Sequence, residues 1–72
     1  MKKHQVLAFY ENLGIKVRVT EHTNRQEMME YISGLRMCDT PYMVMRNFQE
    51  LVEIETFGMT RERMAELVEE FL

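Results

Sequence analysis

The segment that most restricts the fold of this 72-residue chain is Asp39-Thr40-Pro41-Tyr42-Met43-Val44-Met45, where the single proline stands directly before four apolar residues. Proline donates no backbone hydrogen bond and biases its predecessor toward extended geometry, so it suits the first position of a strand. Four apolar residues without alternation indicate a strand covered on both faces. A buried sheet is therefore expected to begin at Tyr42. The polar break Arg46-Asn47-Phe48-Gln49-Glu50 then separates it from a strand expected over Leu51 to Phe57. That strand carries Val52, Ile54 and Thr56 on one face and Leu51, Glu53, Glu55 and Phe57 on the other, a charged pattern suited to a sheet edge.

Upstream, Val6, Phe9, Tyr10 and Leu13 recur at helical spacing and Gly14 follows as a C′ glycine, so a helix is expected over residues 4–13. No Ser, Thr, Asp or Asn marks its start, and a short strand through Gln5 to Phe9 is the alternative. Ile15, Val17 and Val19 alternate with Lys16, Arg18 and Thr20, the period of a half-buried strand near an edge. Asn24 and Glu27 form a capping box that opens a helix over residues 24–35, with Met28, Tyr31, Ile32 and Leu35 as its buried stripe. The last helix is the best marked: Thr60 is its N-cap, Met59 and Met64 form a hydrophobic staple, and Met64, Leu67, Val68 and Phe71 make the stripe.

A chain of this size forms one domain, residues 1–72, and buries only about 60% of its unfolded surface. Cys38 is the sole cysteine, so no internal disulfide forms, and no Cys/His group has zinc-ligand spacing. Met1-Lys2-Lys3-His4 leads into no apolar leader, and no apolar run approaches the roughly 18 residues needed to span a bilayer. These features point to a cytoplasmic chain without a membrane segment. Residues 1–36 carry six Lys/Arg against four Glu, while residues 37–72 carry three Arg against eight Asp/Glu. An acidic C-terminal half disfavours nucleic acid and suits a protein partner with a basic surface.

The expected order is α-β-α-β-β-α. Helix, Leu13-Gly14-Ile15, strand, capped helix, Thr40-Pro41, hairpin, Gly58 and helix together resemble the glutaredoxin branch of the thioredoxin-like α/β fold, lacking its first strand and its Cys-x-x-Cys. The resemblance covers nearly the whole chain. It implies a cis peptide at Pro41. It also implies a three-stranded sheet in which residues 15–20 pair directly with Tyr42 to Met45. In that family glutathione contacts the residue before the proline, here Thr40, and amides after the last strand, here near Gly58, where the family's second glycine is missing.

With the redox cysteines absent, disulfide exchange is excluded, and the sequence supports no enzyme class. His4 and His22 stand far apart with no nucleophile beside either, so no triad is indicated. The leading expectation is a non-catalytic domain that binds another protein through Thr40, Pro41, Gly58, Glu66, Glu69 and Glu70. Glu66 and Glu70 lie one turn apart and away from the apolar stripe, and Glu69 and Glu70 oppose the helix dipole without evident structural benefit. One alternative is a monothiol or glutathione-linked protein acting through Cys38, three residues before Pro41. Another is a structural subunit whose small core is completed by homo-oligomerisation. No metal and no bound cofactor are expected.

Overall fold

The computed structural model of the protein describes residues 3–14, 16–47 and 52–71. The expected strand residues Ile15 and Leu51, and the side chain of Phe71, lie outside the described set. Strands β1 (His4–Tyr10), β2 (Lys16–His22), β3 (Tyr42–Asn47) and β4 (Val52–Phe57) alternate with helices α1 (Arg25–Met37) and α2 (Arg61–Phe71) in the order β-β-α-β-β-α. The sheet order is β2-β1-β3-β4 and every neighbouring pair is antiparallel. This corrects the thioredoxin-like α/β expectation.

The overturning element is the first one. Val6, Leu7, Ala8 and Phe9 are all buried, and four consecutive apolar residues are hidden most economically in a strand sandwiched between two layers. The helical spacing of Phe9, Tyr10 and Leu13 collapses into a single 3₁₀ turn, Glu11–Leu13, beyond which Gly14 has φ +86 and donates to the Glu11 carbonyl. Gly14 thus holds the left-handed position that its placement indicated, but it closes a β1–β2 connection. Because β1 lies between β2 and β3, the expected direct pairing of residues 15–20 with Tyr42 to Met45 does not occur. The Thr40–Pro41 peptide is trans, as is every described peptide bond, and this removes the main support for the family resemblance.

Alternation along β1 and β3 builds two cores. On one face Val6, Ala8, Tyr42 and Val44 pack with Ile32 and Leu35 of α1, joined by Tyr10, Met28, Tyr31 and Phe57. On the other, Leu7, Phe9, Val17, Met43 and Met45 pack with Met64, Leu67 and Val68 of α2. Met59 and Met64 share this second core, as the staple pattern requires, and Thr60 caps α2 by accepting from the Arg63 amide at 3.2 Å. One helix therefore covers each face. The outer strands β2 and β4 are the edges, as their mixed polarity indicated.

Candidate functional site

A groove of about 820 Å³ opens on the α1 face, and its shape follows from how α1 is fixed at both ends. At the start, Asn24 Oδ1 accepts from the amides of Gln26 (2.9 Å) and Glu27 (3.2 Å), the cap that the sequence indicated. At the end, Arg36 ties the helix down to β3 and β4. Its Nε donates to the Tyr42 hydroxyl at 2.8 Å, its Nη2 to Glu55 at 2.9 Å, and its guanidinium lies 4.8 Å from the Phe57 ring centre. Tyr42 and Phe57 stack beneath it at 5.2 Å. The hydrogen bond to Tyr42, then Glu55, holds the guanidinium pKa above its ordinary value.

Ahead of this latch the helix and β4 stand apart. Met28, Met29 and Ile32 line one wall, Val44 lies in the floor, and Ile54 and Glu55 line the other side. Ile54 reaches the groove because β4 is bulged: pairing steps from Val44↔Glu55 to Met45↔Glu53, leaving Ile54 as the extra residue. The same bulge corrects the expectation that Glu53 and Glu55 share a face. Glu53 pairs with Arg61 of α2 at 2.7 Å, while Glu55 pairs with Arg36 of α1. Ile54 is 53% exposed and Met29 51% exposed, so the groove presents apolar surface to solvent.

The groove ends in polar residues at the mouth of β1 and β2. His4 and His22 are direct cross-strand partners there, and both line the groove together with Thr23, Asn24 and Arg25. Thr20 Oγ1 lies 2.7 Å from His22 Nε2 and donates to the Val6 carbonyl at 3.4 Å. The His22 ring leans on Tyr31, with ring centres 5.3 Å apart. The Tyr31 hydroxyl is shielded from solvent with no partner in hydrogen-bonding geometry, although the Tyr10 and Thr20 hydroxyls are close enough to bear on its ionisation. Burial, followed by Tyr10, pushes the Tyr31 pKa up.

The residues singled out in the sequence divide into two places. Cys38, Thr40, Pro41 and Gly58 do line one shallow cleft, with Phe9, Tyr10 and Leu13 beside them. Thr40 is held by its amide bond to the Leu35 carbonyl at 2.9 Å, and the Pro41 carbonyl accepts from Phe9 at 2.9 Å. Cys38 caps the C-terminal end of α1 and is exposed. Glu66, Glu69 and Glu70 sit on α2, whose apolar side covers the opposite face of the sheet from α1. Glu66 forms an ion pair with Arg63 at 3.0 Å, and Glu69 flanks an apolar crevice containing Met43, Met45 and Val68. Thr40, Pro41 and Gly58 on one side and the glutamates on the other therefore do not form a joint site.

Sequence reasoning missed the α1–β4 groove because it depends on a bulge in β4 and on which elements meet across the sheet face. Its one local signal was Met29, an apolar residue off the buried stripe of α1. Among the described residues no group of three or more His, Cys, Asp or Glu is placed to hold a metal ion, and no helix is long and apolar enough to cross a membrane. Comparison of the chain with protein-family models, with curated proteins and with solved structures finds no match.

Proposed function

We propose that this protein is a binding domain that takes apolar side chains of a partner protein into the groove between α1 and β4. The observation that carries this reading is the pair Met29 and Ile54, each about half exposed, lining one groove over a buried Val44 floor. Methionine adapts its unbranched side chain to different shapes, so Met28 and Met29 suit a surface that must fit a partner. The groove volume lies within the range of roughly 300–1,000 Å³ typical of ligand pockets. A carboxylate at Glu55 and a guanidinium at Arg25 add polar points that fix orientation. The acidic surface of α2 ranks behind the groove because Arg63 already offsets Glu66 at its centre. A cytoplasmic setting agrees with one exposed, unpaired thiol at Cys38.

The test places a photo-crosslinking residue at Met29 and, as a control, at Arg63 on α2, and identifies what each captures in the native host. Capture at Met29 should be specific and should be lost on Ile54→Glu, which leaves the circular dichroism spectrum unchanged because Ile54 packs into neither core. A partner held equally well by Ile54→Glu, or captured only from position 63, removes the groove reading.

A further inference from the structure

His4 and His22 are 18 residues apart in the chain and match no metal-binding motif, yet the β1–β2 register sets them directly opposite one another. We propose that this pair chelates one divalent transition-metal ion of the imidazole-preferring class, Ni(II) or Zn(II), at the polar end of the α1-face groove. Directly opposed residues of an antiparallel pair point to the same face, with Cβ atoms about 4.5–5.5 Å apart. Two imidazole nitrogens mounted at that separation can both reach one ion at about 2.0–2.1 Å. Both rings are half-buried and line the same open groove, so an ion enters from solvent and keeps positions for water.

The hydrogen bonds around His22 prepare it as a ligand. Thr20 Oγ1 lies 2.7 Å from His22 Nε2, so Nε2 is engaged within the strand and Nδ1 is the ring nitrogen open to an ion. A hydroxyl held against the other ring nitrogen fixes the ring orientation of a metal-bound histidine. The Tyr31 ring, 5.3 Å away, restrains the imidazole further. Of the cations nearby, Lys3 is paired with Glu21 at 3.6 Å, and Arg25 is exposed, where water screens its repulsion of an ion. With no third protein ligand among the described residues, the site is an exchangeable chelate and not a closed structural centre.

Because the two histidines meet only in the folded chain, the ion stabilises the native state by mass action. The experiment uses the full chain with Cys38→Ser, which removes the competing thiol, and follows thermal unfolding and isothermal titration with Ni(II). The expected result is one-to-one binding and a raised midpoint, both lost in His4→Gln and in His22→Gln. Thr20→Val, which keeps both ligands and removes the orienting hydroxyl, should weaken Ni(II) about tenfold. Circular dichroism without metal verifies that each variant is folded. Binding that persists in either histidine variant would overturn the proposal, as would a parent protein whose midpoint Ni(II) does not move. An unaltered affinity in Thr20→Val overturns the orienting role of Thr20.

Discussion

Replacing Gly58 by alanine tests how the β4–α2 turn is seated against the segment that begins β3. Gly58 has φ +79, a left-handed conformation that costs an L-residue about 1–2 kcal/mol. A Cβ built there falls 3.2 Å from the Pro41 Cα and 3.4 Å from its Cβ and Cγ. The nearest of these atoms is backbone, held by the Phe9–Pro41 hydrogen bond, and cannot swing aside as a flexible side chain would. Crowding of this kind adds about 1–3 kcal/mol. The gain from a stiffer unfolded chain returns about 0.4–1 kcal/mol, so Gly58→Ala should lose roughly 2–4 kcal/mol in all. A domain of this length has only about 4–11 kcal/mol to lose, and its midpoint should fall by about 10 °C or more. Gly14→Ala is the control: φ is +86 but nothing lies within 4 Å of the added Cβ, so only the conformational cost applies. Urea unfolding of both variants isolates the crowding against Pro41 as their difference. Equal stabilities for the two would refute the argument that Gly58 is required by close approach as well as by φ.

Three further outcomes are expected. Leu67→Ala should destabilise by about 2–5 kcal/mol with an unaltered urea m-value, since Leu67 is buried between α2 and the sheet; a loss under about 1 kcal/mol would mean that α2 does not hold that core. Tyr31→Phe removes a shielded hydroxyl without a partner and should be neutral or stabilising in neutral solution. The same variant bears on pH: burial raises the Tyr31 pKa in the folded state, so its contribution is complete below about pH 10 and is lost as pH rises through the folded value. Tyr31→Phe should therefore unfold less readily than the parent in alkaline titration, and an identical alkaline limb would contradict the burial.

Much of this architecture was legible locally. Pro41 before an apolar run specified the start of β3, because a proline without an amide proton and a doubly buried strand each leave a mark in adjacent residues. Asn24 and Thr60 specified the starts of α1 and α2 in the same way, since caps act over three residues, and alternation at Val17 and Val19 marked β2 as an edge. Gly14 was read as a left-handed position and has positive φ, whereas the positive φ of Gly58 was not foreseen. The segment Gln5 to Phe9 was different. Its apolar residues satisfy both a helical and a strand pattern, and the choice was made by β2, β3 and two helices that arrive from elsewhere in the chain to cover both of its faces. Register was decided at that level too. Shifting β1 against β2 by one residue would send His4 and His22 to opposite faces, and only the packing of Leu7 and Phe9 under α2 and of Val6 and Ala8 under α1 selects the observed pairing. The bulge that turns Ile54 into the groove and the Arg36 contacts that span 19 residues to Glu55 likewise belong to the tertiary structure. Local chemistry determines where each element begins and ends, while the faces that become sites depend on which elements meet, and that is settled by burying the whole apolar surface at once.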